Sequence, residues 1–136
     1  VQKLKIFRSQ IDYGIFLPVQ YAAIAALTGP DTYIEDQRQK YKERNQILCG
    51  GLRSIGWDVP DSQGTMFVWA KIPENYETSV SFCMDLMEKT GVIVTPGSAF
   101  GKGGERYVRM ALVVDIPVIQ EMIGVLDASG IFLDKK

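Results

Sequence analysis

Histidine is absent from this sequence. Its absence removes histidine-based acid–base catalysis, Ser-His-Asp triads and His-ligated metals from the chain itself. Cysteine is nearly as scarce. Cys49 and Cys83 are the two present, in helical-looking surroundings, with neither metal-ligand spacing nor a disulfide framework. No metal site is expected, and this cysteine usage suits a reducing, cytoplasmic setting. No charge of one sign dominates either: 15 basic residues meet 16 acidic ones for a net charge of −1. Nothing here tracks a phosphate backbone, so nucleic acid is not an expected partner. No apolar run approaches transmembrane length and no signal peptide is visible, so no membrane partner is expected. What remains is 136 residues, 46% hydrophobic and 23% charged, which suits one ordinary domain or a domain with a short appendage. A chain of this length buries roughly two-thirds of its unfolded surface.

The chain opens at Val1 rather than Met and reads straight into Gln2-Lys3-Leu4-Lys5-Ile6-Phe7, mid-element sequence with no cap before it. A fragment of a longer protein is expected; a processed or tagged N-terminus is the alternative. Residues 1–30 form one stretch. Lys3 to Arg8 reads as the last turns of a helix, broken by the polar Ser9 to Gly14 segment. Pro18 opens an Ala-rich helix through Leu27, stopped by Gly29-Pro30. These helices are too small to be a domain and need a cover for their apolar faces.

From residue 31 onward the predicted order is α-β-β-α-β-β-α. A long helix spans 31–56, started by a Thr32/Glu35 capping box and carrying Ile34, Tyr41, Leu48, Leu52 and Ile55 on one face. Gly56 supplies its left-handed cap. Trp57 to Val59, Thr65 to Ile72, Val92 to Thr95 and Tyr107 to Val113 read as strands. Thr78 to Thr90 reads as a helix with Val80, Cys83 and Met87 on its inner side, ended by Gly91. Asp115 caps a last helix with Ile116, Ile119, Ile123 and Leu126 facing inward, ended near Gly130, and Lys135-Lys136 form a polar end. The expected fold class is α+β: a two-layer sandwich, mixed or antiparallel sheet with helices on one face, preceded by helices of another domain.

Three places invite chemistry. The Pro96-Gly97-Ser98-Ala99-Phe100-Gly101-Lys102-Gly103-Gly104 run glances at a phosphate loop, but its spacing is short of the Walker A pattern and a strand follows instead of a helix. It reads either as a flexible connection between strands or as a loop bordering a cleft and approaching another surface closely. In Tyr107 to Val113, alternation puts Val108, Met110 and Leu112 on the core face and Arg109 on the other, beside Tyr107 and Ala111. Arg109 is either a solvated strand-face residue or a fork awaiting a planar carboxylate or phosphate. Lys3 and Lys5, candidates for a Schiff base only if held in an apolar pocket, read as solvated surface lysines. Tyr13, beside Gly14, reads equally as a turn residue or a contact point. A ferredoxin-like RNA binder is disfavoured, since no aromatic-basic stripe is present.

The run Val92 to Gly101, followed by Gly104-Glu105-Arg106-Tyr107-Val108-Arg109-Met110-Ala111-Leu112, closely resembles the class I/II pyridoxal-phosphate aminotransferases. Gly64 to Pro73, Leu52 to Trp57 and Asp12-Tyr13-Gly14 fit the same family, in the branch with alanine-, aspartate- and diaminopimelate-type enzymes. The resemblance covers essentially the whole chain. It implies the small C-terminal domain at 31–136, with 1–30 as the terminal helices of the large cofactor domain. It implies that Arg109 grips the substrate α-carboxylate, and that Phe67, Phe100 and the loop from Gly97 lie near the cleft. Tyr13 would approach the partner subunit's site. The family's Schiff-base lysine, phosphate-binding residues and pyridine-pairing acid have no counterpart here and are expected upstream of Val1. The implied parent is a cytoplasmic homodimer of amino acid metabolism, with pyridoxal 5'-phosphate as cofactor and amino acids and 2-oxo acids as substrates. The chain alone is expected to hold no cofactor, to be inactive and to self-associate through its exposed helix. The alternative is a standalone, non-catalytic α+β binding module.

Overall fold

The computed structural model describes residues 1–132; the expected polar end at Lys135-Lys136 lies outside them. The described residues form two compact units, residues 1–35 and 36–132. In the first, α1 (Gln2–Ser9) and α2 (Leu17–Thr28) bury no residue. Pro18 sits in the first turn of α2, where its missing N–H costs nothing. The Gly29 N–H closes that helix on the Ala25 carbonyl.

The helix α3 (Thr32–Ser54) begins in the first unit and runs into the second. Its opening turn is closed by the Glu35 N–H on the Asp31 carbonyl. Its end is a Schellman motif: the Trp57 N–H reaches the Leu52 carbonyl, the Gly56 N–H reaches that of Arg53, and Gly56 takes φ +95°. The expected glycine cap is therefore present.

The second unit places β1 (Phe67–Lys71), α4 (Ser79–Thr90), β2 (Thr95–Pro96), β3 (Tyr107–Ala111) and α5 (Ile116–Ser129) after α3. The sheet is three-stranded and antiparallel, in the order β1-β3-β2. The fold class is α+β, as the sequence implied. Val68 lies opposite Met110 and Ala70 opposite Val108, and all four are buried. They join Leu48, Cys49 and Leu52 of α3, Phe82 and Leu86 of α4, and Ile119 and Leu126 of α5 in one core. Each such large apolar side chain contributes about 1.5–3 kcal/mol on burial. The other sheet face carries Phe67, Trp69 and Lys71 opposite Ala111, Arg109 and Tyr107.

Three element readings need correction. Trp57 to Val59 is not a strand. The Arg53 guanidinium takes the Val59 carbonyl at 2.7 Å, and the Trp57 indole N–H donates to the Lys71 carbonyl at 2.8 Å. Trp57 and Val59 are buried, but as an irregular strap without a ladder partner. Of Val92 to Thr95, only Thr95 pairs, with Pro96 continuing the strand. Ile93 points to solvent while Val92 and Val94 pack on the core. On α4 the buried residues are Ser79, Phe82 and Leu86; Cys83 is half-buried and Val80 and Met87 are exposed. The hydroxyl of Ser79, not a larger apolar residue, takes the inward position.

Candidate functional site

Register decides what surrounds Arg109. Residues two apart on facing antiparallel strands meet diagonally. Ala111 faces Phe67, so Arg109 meets Phe67 on the diagonal, and its Cζ lies 4.1 Å from that ring centroid. Thr65 fixes how Phe67 enters the strand. It holds φ 68°, unusual for a β-branched residue, and its Oγ1 accepts the Phe67 N–H at 3.0 Å.

The second ring comes from the glycine-rich run. It folds as a pair of 3-10 turns, Gly97–Phe100 and Lys102–Gly104. Gly97 and Gly104 are buried against each other, and a Cβ on Gly97 would lie 2.2 Å from the Gly104 carbonyl oxygen. Close approach explains both glycines. The turns present Phe100 4.5 Å from the Arg109 Cζ. Trp69 meets Phe100 edge-on at 5.7 Å and stacks on Tyr107 at 5.6 Å.

The structure thus gathers Arg109, Phe67 and Phe100, all singled out in the sequence. It adds Trp69, which the alternation of β1 places on the same face as Phe67 and which sequence reasoning passed over. Tyr13 belongs to the first unit, in the break between α1 and α2, and is fully exposed. Arg109 is half-buried, and among the described residues no carboxylate or carbonyl accepts a hydrogen bond from it. Two ring faces hold it, worth about 0.5–1 kcal/mol each at partly exposed sites. A guanidinium fork of this kind matches the geometry of a planar carboxylate or phosphate.

Other arginines are consumed by the fold. Arg44 binds the Leu112 carbonyl at 3.1 Å and Asp115 at 2.7 Å, so Asp115 braces α3 while making no side-chain cap on its own helix. Arg106 reaches the Tyr76 carbonyl and pairs with Glu74 at 3.1 Å. That pairing, after the stronger bond from Lys71, holds the Glu74 carboxyl below its ordinary range.

Nucleophiles are quiet. Burial pushes both the Cys49 and Cys83 thiols up, away from the reactive thiolate. Every described lysine is exposed. A cavity of about 740 Å³ lies elsewhere, lined by Trp57, Lys71, Tyr76, Lys89 and Phe132 among others, and shares no residue with the Arg109 cluster. Its lysines are already engaged, Lys71 with Glu74 and Lys89 with Asp85. Among the described residues no group of three or more Cys, Asp or Glu is placed to hold a metal, and no helix is long and apolar enough to cross a membrane.

Comparison with known proteins gives a consistent result. The family profile described as aminotransferase class I and II matches residues 1–126. An LL-diaminopimelate aminotransferase of Halothermothrix orenii is 44% identical over 131 residues, 96% of this chain and 33% of that protein. The glutamate-pyruvate aminotransferase AlaC of Escherichia coli is 41% identical over 125 residues, 90% of this chain and 30% of its own length. Among solved structures, substrate-bound BacF from Bacillus subtilis superposes with a TM-score of 0.84 at 34% identity, over 93% of this chain and 33% of that one. The chain spans about a third of the length of the curated relatives it matches.

Proposed function

Because the chain belongs to the class I and II aminotransferases, we propose that it is the C-terminal, small-domain part of a longer enzyme that moves an amino group from an α-amino acid to a 2-oxo acid. Residues 31–136 form that domain, and residues 1–30 end the large one. Arg109 binds the substrate α-carboxylate. One observation carries this reading: a half-buried guanidinium is held on two aromatic faces with no protein carboxylate taking its donors among the described residues.

A carboxylate accepts two parallel N–H bonds from such a fork, which fixes its plane as well as its position. The rings of Phe67 and Phe100 orient the fork and keep part of the water away, strengthening the pair. Anchored there, the amino acid or the 2-oxo acid presents its reacting carbon at a constant distance from the sheet. Tyr13 lies on the approach to the partner's site in a homodimer.

The described residues do not fit a covalently held pyridoxal 5'-phosphate. A lysine that forms a Schiff base needs an apolar pocket to lower its pKa, and every described lysine is exposed. The exposure of the described lysines supports a reading in which the cofactor is carried by the remainder of the enzyme and residues 1–136 alone neither hold it nor transaminate.

Two experiments test the reading. In the full encoded polypeptide, Arg109→Lys is expected to raise KM for both substrates about 100-fold, the scale of a lost bidentate charge pair. Unchanged KM values would remove Arg109 from the site. Residues 1–136 treated with pyridoxal phosphate and borohydride should give only diffuse, substoichiometric lysine labelling. Stoichiometric modification of a single lysine would overturn the claim that this part is inactive.

A further inference from the structure

Ser79, the first residue of α4, is a fully buried polar side chain at the base of the loop that carries Phe100. A hydroxyl in that position costs free energy unless its hydrogen-bonding capacity is used. Its partners are two residues of the glycine-rich segment. The Ser79 N–H donates to Glu105 Oε1 at 3.0 Å, and the hydroxyl donates to the same oxygen at 3.2 Å. The hydroxyl also accepts the Ser98 N–H at 3.3 Å and lies 3.1 Å from Ser98 Oγ. One carboxylate oxygen thus joins the start of a helix to one end of the loop, and the same serine grips the other end.

Phe100 lies between those two anchors and is 52% exposed. Burial in the core does not place its ring; the backbone of the turns does. Those turns are closed at their neck by the Gly97–Gly104 approach. We propose that Glu105 is a positioning residue for the carboxylate site: acting through Ser79 and Ser98, it sets the loop that holds Phe100 over Arg109. Glu105 touches no substrate. The inference rests on the carboxylate reading of Arg109.

The test uses the full encoded polypeptide loaded with pyridoxal phosphate. It measures KM and kcat with its amino-acid donor, and the affinity of propionate read from the Arg109 side-chain ¹⁵N resonance. Glu105→Ala should raise KM and weaken propionate ~5-fold with kcat altered less than ~2-fold, the most that loss of the Phe100 ring from the guanidinium would cost. Glu105→Gln should recover to within ~2-fold of the parent, since an amide oxygen accepts the same two bonds. A purely structural role would lower Tm without separating KM from kcat. Parent-like KM and propionate affinity in Glu105→Ala, or no recovery in Glu105→Gln, overturns the proposal. If Glu105→Ala does not fold, Ser79→Ala decides, since it removes the hydroxyl and keeps the backbone bond; a ~3-fold loss of propionate affinity is expected, and none overturns the proposal. If propionate leaves the Arg109 resonance of the parent unmoved, the carboxylate reading fails, and this inference with it.

Discussion

Arg109 owes its placement to two rings of different origin. Phe67 is fixed by strand register, Phe100 by a loop. Replacing either ring with leucine keeps an apolar wall and removes the cation–π contact. KM for the carboxylate substrates should rise ~2–5-fold for each, matching about 0.5–1 kcal/mol. Steady-state kinetics on Phe67→Leu and Phe100→Leu in the full encoded polypeptide would show it, and equal KM values would mean the rings are only walls. Tyr76 offers a second check at this scale. Burial, then its bond to Asp85, pushes the phenol up from 10.0 to about 12. The folded state holds this proton more tightly than the unfolded chain does. The stability it contributes is complete below pH 10 and is lost as pH rises towards 12. Ultraviolet titration of tyrosinate should show one of the six tyrosines ionising last, and Tyr76→Phe should remove that step. The orientation of Arg109 was legible from alternation along β3 alone. Glu105 was not, because its partner Ser79 is distant in sequence and no local pattern encodes the pairing.

The helices were easier to read than the strands, for a physical reason. A helix carries its own hydrogen bonds and its own stop signals. Gly56, Gly91 and Gly130 all take left-handed φ where the pattern placed helix ends. A strand needs a neighbour. Trp57 to Val59 has strand-like side chains but finds only an arginine and a carbonyl, so it becomes a strap. The inner face of α4 was misread because hydrophobicity ranked Val80 and Met87 above Ser79, whereas partners in the loop drew Ser79 inward. The start of α4 itself follows local rules. Thr78 Oγ1 accepts the Ser81 N–H at 3.1 Å, so Thr78→Ala should cost about 1 kcal/mol, visible as a Tm lowered by a few degrees. Gly97→Ala should cost more, about 1–3 kcal/mol, because its methyl has only backbone to displace.

Taken over all the described residues, every buried apolar side chain falls between Leu48 and Leu126. The first unit contributes none. Deleting residues 1–30 leaves α3 intact and should shift the Tm of the remaining domain by no more than about 2 °C in calorimetry. A loss of cooperative unfolding would show that the boundary is misplaced. The same distribution of burial divides the chain's two tryptophans. Trp57 is 3% exposed, stacked on Phe132, with its indole N–H bonded; Trp69 is 38% exposed and stands beside Phe100. Their fluorescence should separate accordingly: a blue, shielded emitter from the interior, and a redder one, open to acrylamide, at the rim of the Arg109 cluster. The chain carries its own optical probe there, and on the proposed reading a carboxylate bound at Arg109 should protect Trp69 from the quencher without any label.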